Sequence, residues 1–249
     1  MKKHRSSQFL AICTAAVLAL SVPAWASQVS ITPLDTGNTT SSQSQSGASE
    51  PSTAQNTSGQ TVDISSITKP TVASQGAVLL NAADGSVLFS KNGDTTYYPA
   101  SITKLMTALL VAENCNLDDT VTFSATATTN LESGAVSIGM AEGDTMTVRQ
   151  CLYALLLKSA NEVGNALAEH VAGSNAAFAE KMNAKAASLG CTNTHFANPH
   201  GLNDPNHYTT PHDMALIARA AFANDIVKTV ASTRTYTLPA TKKNPSGLT

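Results

Sequence analysis

Charge and cysteine are both scarce in this sequence, and each shortage removes a class of function. Only 13% of the residues are charged, and no Lys/Arg cluster occurs, so there is no electrostatic footprint for nucleic acid or an anionic membrane surface. Taking Lys2, Lys3 and Arg5 from the 15 basic residues leaves 12 against 17 acids, a mildly acidic body of net charge −5. No C-x-x-C or H-E-x-x-H spacing is present, which removes dithiol redox sites and the usual zinc geometries. His195, His200, His207 and His212 do cluster with Asp204 and Asp213. Turn chemistry in the Asn-Pro, His-Gly and Asp-Pro steps accounts for that stretch, and no metal or cofactor is expected. A Gly-x-Ser-x-Gly elbow is missing too: Ala135-Val136-Ser137-Ile138-Gly139 has the wrong first residue and no strand before it.

What is present divides into three parts. Residues 1–26 carry a basic start, the apolar run Phe9 to Val22 and the small-x-small sequence Ala24-Trp25-Ala26. They read as an export signal, because the apolar run is shorter than the ~20 residues that span a bilayer. A secreted, extracytoplasmic protein is therefore expected. Cys13 would leave with the signal, and Cys115, Cys151 and Cys191 would remain. One disulfide among them or three small buried thiols are both compatible with that number. Residues 27–70 are expected to be a disordered Ser/Thr/Gln-rich linker, since Thr36 to Thr61 contains no aromatic, no branched aliphatic and one charge, Glu50.

The folded domain is expected over residues 71–249. Asp84-Gly85 between Gly76–Leu80 and Ser86–Phe89 predicts a hairpin. Ile102, Leu105, Met106, Leu109 and Leu110 recur at helical spacing. Thr147 and Gln150 form a capping-box pattern, and further helices are expected at Val163–Val171, Asn175–Leu189 and Pro211–Phe222. Two strands alone do not make a stable sheet, so more of the sheet is expected beyond Thr249.

Ser101-Ile102-Thr103-Lys104 opens the first apolar helix. A spacing of three puts the hydroxyl and the amine one turn apart on one face. A serine needs an adjacent base to become a nucleophile, and a partly buried lysine can supply one. The same tetrapeptide occurs at Ser66-Ile67-Thr68-Lys69, but Pro70 follows it and disfavours helical geometry at Lys69. Ser101 is therefore the candidate and Ser66 a decoy. Ser159-Ala160-Asn161 falls between two expected helices, where both polar side chains can face one cleft. Ser159 could relay a proton and the Asn161 amide could hold a substrate carbonyl. Ser90-Lys91-Asn92 has the same pattern but ends a strand, where a turn explains it.

In this order and context, the two motifs resemble those of the serine D-Ala-D-Ala carboxypeptidases, the low-molecular-mass penicillin-binding proteins of peptidase family S11. Pro99 to Ala108 is similar to the nucleophile helix of that family, and Ser159-Ala160-Asn161-Glu162 with Leu167-Ala168-Glu169-His170 to its second motif. Asn198-Pro199-His200-Gly201-Leu202, His207 to Pro211 and Asp213-Met214-Ala215 are similar to its loop and following helix. The resemblance implies a mixed α/β domain of α+β type, the β-lactamase/transpeptidase-like three-layer sandwich, with a mainly antiparallel sheet between helices. It implies catalytic Ser101, Lys104, Ser159 and Asn161, with Ser159 and Asn161 also binding substrate. The implied partners are a peptidoglycan stem peptide ending in D-Ala-D-Ala and β-lactams as covalent inhibitors. The family's third motif, Lys-Thr-Gly, is not among the 249 residues. The domain is accordingly expected to be incomplete at its C-terminus and nearly inactive as it stands, with any membrane association left to a segment beyond Thr249. A β-lactamase on the same fold and a non-catalytic wall-binding module are the alternatives.

Overall fold

The computed structural model describes residues 70–129 and 131–249 together with two short segments, Ala54–Gln55 and Thr61–Val62. These segments, β1 and β2, pair antiparallel, with Ala54 opposite Val62. They fall in the stretch expected to be a linker. The rest of that stretch up to residue 69, the expected export signal and Ser66 all lie outside the described residues. The chain divides into two units, residues 1–74 and residues 75–249, and the second holds every helix described.

In the second unit, Asp84-Gly85 reverses the chain as its composition predicts. Gly85 adopts φ +81 and donates its N–H to the Asn81 carbonyl at 2.8 Å. Asp84 accepts the Ser86 N–H at 2.8 Å and its hydroxyl at 2.7 Å, and these bonds hold the carboxyl below its ordinary pKa. The flanking strands, β3 (Ala77–Leu80) and β4 (Val87–Lys91), pair antiparallel with a register shift at Leu79/Leu80. Arg219 ties the turn down by donating to the Ala82 and Ala83 carbonyls, each at 2.9 Å.

A 3-10 turn, Ala100–Thr103, then runs into α1 (Lys104–Asn114). Lys104 and every residue from Met106 to Val111 are buried. A helix covered on nearly all sides belongs at the centre of a fold. The elements around it follow in order: β5 (Thr120–Thr122), α2 (Ala125–Thr129), β6 (Thr145–Thr147), α3 (Val148–Leu157), α4 (Asn161–Ala172), α5 (Asn175–Ser188), α6 (Pro211–Ala223) and α7 (Asp225–Ala231). Helices α3, α4, α5, α6 and α7 all pack on α1. Leu109, Leu152, Leu155, Leu167, Phe178, Met182, Phe196 and Ile217 fill the space between them. Each such side chain contributes about 1.5–3 kcal/mol by leaving water, so the N-terminal end of α1 is held by a rigid surround.

The capping box at α3 forms as expected: Thr147 accepts the Gln150 N–H at 3.2 Å, and the Gln150 side chain accepts the Thr147 N–H at 2.9 Å. Thr210 caps α6 by accepting the Asp213 N–H at 3.1 Å, with Pro211 in its first turn. The sequence predicts one hairpin; β5 and β6 form a further antiparallel pair with Val121 opposite Met146. Each spans three residues, too few for an alternation to stand out. No helix among the described residues is long and apolar enough to cross a membrane.

Candidate active site

The four side chains singled out in the sequence come together in the structure. Ser101 lies in the 3-10 turn, not on the α-helix itself, and Lys104 is the first residue of α1. Lys104 Nζ donates to Ser101 Oγ at 3.2 Å, to Asn161 Oδ1 at 2.8 Å and to the His200 carbonyl at 2.7 Å. Ser159 Oγ donates to Ser101 Oγ at 2.9 Å. An ammonium has three N–H groups and finds three acceptors here. A neutral amine in the same place keeps its two N–H groups on Asn161 and His200 and turns its lone pair toward Ser101. Only 2% of Lys104 is exposed, so the amine is fixed and shielded from bulk water.

The backbone is strained just before Ser101 and at Ser159 itself. Ala100 has φ +50 and Ser159 φ +58, in the left-handed region that a Cβ disfavours. Such residues cost about 1–3 kcal/mol each and persist where packing over-determines them. At Ala100 the packing is visible: Gly201, at φ +86, presses its backbone against the Ala100 carbonyl, and a Cβ on Gly201 would lie 1.9 Å from that oxygen.

The loop Asn198–Leu202 supplies this contact and more. Asn198 Oδ1 accepts the N–H groups of His200 at 3.3 Å and Gly201 at 2.7 Å, an Asx turn. The turn directs two carbonyls at α1: Pro199 accepts the Thr107 hydroxyl at 2.6 Å, and His200 accepts Lys104. Behind the turn, His207 Nδ1 accepts the Ala197 N–H at 3.1 Å, which places the ring proton on Nε2. Nε2 in turn donates to Thr103 Oγ1 at 2.8 Å. Sequence reasoning missed these supports; the signals were the polar Thr103 and Thr107 among the apolar residues that open the first helix.

Burial, the Lys104 charge and His207 lower His200 to a pKa of about 3. Burial, with a smaller contribution from His195 and against the pull of Asp204, lowers His207 to about 4. Both rings are neutral when folded and titrate near 6.5 when unfolded. Stability is therefore full above pH 6.5 and is lost as pH falls from there toward 4. Thermal unfolding followed against pH should show uptake of about two protons on unfolding near pH 5. His207→Gln should remove about one of them. A melting temperature that is flat between pH 7 and 5 would contradict this assignment.

Asn161 is anchored at both ends. Its backbone N–H and its Nδ2 both donate to the Val136 carbonyl, at 3.0 and 2.8 Å. This fixes which end is the oxygen, and Oδ1 faces Lys104. One amide N–H is spent on Val136, so only the other can reach a substrate carbonyl. Ser137 donates its hydroxyl to Glu162 at 2.6 Å, and among the described residues no group of His, Cys, Asp and Glu could hold a metal ion. Cys115, Cys151 and Cys191 are free thiols. Burial and Asp213 push Cys191 up to about 12, which leaves it protonated and unreactive at neutral pH.

Comparison with known proteins places these features in context. The profile of the D-alanyl-D-alanine carboxypeptidase family matches residues 63–245. A D-alanyl-D-alanine carboxypeptidase of Streptomyces sp. (strain K15) is 38% identical over 192 residues, covering 72% of this chain and 65% of the relative. The carboxypeptidase DacF of Bacillus subtilis is 38% identical over 150 residues, 58% of this chain and 38% of its own length. The chain thus spans less than two thirds of these relatives. A solved variant of the Streptomyces K15 DD-transpeptidase superposes with TM-score 0.66 at 35% identity, over 71% of this chain and 72% of that one. The mixed α/β, β-lactamase/transpeptidase-like fold is shared with such structures.

Proposed function

The chain belongs to the D-alanyl-D-alanine carboxypeptidase family, and on that premise we propose that it removes the terminal D-alanine from peptidoglycan stem peptides through an acyl-enzyme on Ser101. The observation that supports this reading is the placement of Ser101 Oγ between Lys104 Nζ at 3.2 Å and Ser159 Oγ at 2.9 Å. Lys104, as the neutral amine, takes the Ser101 proton while Oγ attacks the carbonyl between the two D-alanines. The C–N bond breaks, the departing D-alanine nitrogen receives a proton relayed through Ser159, and an ester to Ser101 remains. Water then cleaves the ester and restores the hydroxyl. The remaining Asn161 N–H steadies the penultimate residue's amide carbonyl. β-Lactams, whose strained amide resembles the scissile bond, would acylate the same oxygen. Acting on peptidoglycan requires an extracytoplasmic protein, in agreement with the export signal read at residues 1–26, with residues 27–70 as linker and the catalytic domain from residue 71.

The test is release of D-alanine by the full-length protein from a diacetyl-L-Lys-D-Ala-D-Ala tripeptide, measured beside hydrolysis of benzylpenicillin. The expected result is D-alanine release with slow turnover of penicillin. Rapid penicillin hydrolysis without D-alanine release would make the protein a β-lactamase. Activity on neither substrate would leave a wall-binding module.

A further inference from the structure

Glu162 directly follows the second motif and is almost wholly enclosed, at 1% exposure. Its Oε1 gathers several donors from one loop: the Ser137 hydroxyl at 2.6 Å and the N–H groups of Ile138 at 2.7 Å and Gly139 at 3.0 Å. The Met140 N–H approaches more weakly at 3.5 Å. Successive N–H groups converging on one oxygen form an anion-holding nest. The carboxylate also lies in the first turn of α4, where the helix dipole favours a negative charge. Its other oxygen, Oε2, is buried and has no hydrogen-bond partner among the described residues. A buried acceptor left unmatched is a cost, which the hydrogen bonds gathered by Oε1 must offset.

The loop so held contains Val136, whose carbonyl takes the backbone N–H and one side-chain N–H of Asn161. A continuous set of hydrogen bonds therefore runs from Glu162 to the loop, from Val136 to the Asn161 amide, and from Asn161 Oδ1 to Lys104 Nζ at 2.8 Å. Without the nest, the loop is released, Val136 withdraws, and the Asn161 amide can rotate its NH2 toward the lysine, where two donors would oppose each other. We propose that Glu162 is a positioning residue: it fixes the Val136–Met140 loop so that Asn161 presents oxygen, not nitrogen, to Lys104. This rests on the acyl-enzyme reading of Ser101 and Lys104.

The experiment measures, in the full-length protein, the limiting rate and the half-saturating concentration of acylation by a fluorescent penicillin for wild type, Ser101→Ala, Glu162→Ala and Glu162→Gln, each with a thermal melt. Glu162→Ala should lower the limiting rate by about 10–100-fold through misplacement alone, with the half-saturating concentration moving by less than about threefold. Glu162→Gln keeps one oxygen in the nest and should restore the rate to within about threefold, while its new NH2 meets no acceptor and lowers the melting temperature. A structural role alone would make rate and melting temperature fall together in both variants, and that result overturns the proposal. So does a folded Glu162→Ala that acylates at the wild-type rate. If Glu162→Ala does not fold, the same comparison is made with Glu162→Asp, which withdraws the carboxylate from the nest by one methylene; an unchanged rate there also overturns it. Absence of labelling in wild type, or labelling that persists in Ser101→Ala, would instead mean that the acyl-enzyme reading has failed.

Discussion

In the full-length protein, Ser101→Ala is expected to abolish covalent labelling by a fluorescent penicillin, while Ser66→Ala leaves labelling at the wild-type level. Both serines begin the tetrapeptide Ser-Ile-Thr-Lys, so local sequence does not separate them. Context does. Pro70 follows the first copy, whereas the second leads into α1 and brings Lys104 Nζ to 3.2 Å from Ser101 Oγ. Removing that oxygen removes the atom to which the acyl group would be attached, so the loss is of the covalent adduct itself and not of a fraction of its rate. The fold should survive, because the alanine occupies less space at an exposed position. Gel fluorescence after a short incubation, with a melting curve for each variant, gives the answer. Persistent labelling of a folded Ser101→Ala would show that another nucleophile carries the acyl group.

The site was legible in the sequence to the extent that its parts are local. Ser101 and Lys104 are one turn apart, and a spacing of three conveys that directly. Ser159 and Asn161 could be placed because the capping box at Thr147 and the apolar run after Asn161 bracket a break, and the structure ends α3 at Leu157 and begins α4 at Asn161. The contributions of Val136 and His200 were not legible, since they come through backbone carbonyls, which every residue has. Nor was the bond from His207 to Thr103, which joins residues 104 positions apart. Helix α7 had a readable start, since Asn224 accepts the N–H groups of Ile226 at 3.0 Å and Val227 at 3.2 Å, but its seven residues are too few for the apolar period to emerge. The same brevity hid α2 and the β5–β6 pair.

Gly201→Ala should be the most damaging single methyl group that can be added to the loop behind Ser101. Two costs combine. The residue has φ +86, where alanine is disfavoured by about 1 kcal/mol. The added Cβ would also meet the Ala100 carbonyl oxygen at 1.9 Å, its carbon at 2.4 Å and Thr103 Oγ1 at 2.9 Å. Two of these atoms are backbone and cannot turn aside as a flexible side chain could. Either the loop Asn198–Leu202 or the turn Ala100–Thr103 must move by more than an ångström. The first movement takes the His200 carbonyl from Lys104; the second shifts Ser101 itself. We expect a loss of about 4 kcal/mol or more, a large share of the total stability of a domain this size. That corresponds to a fall in melting temperature of about 10 °C, with penicillin acylation slower by about 100-fold. Gly173→Ala is the matched control: φ is +79 at the C-terminal end of α4, yet nothing lies within 4 Å of the added Cβ. It should lose only about 1 kcal/mol, or about 2–4 °C, and acylate normally. If the two alanine variants melt within a degree or two of each other and label equally fast, the close approach of Gly201 to Ala100 is not what holds the Ser101 turn in place.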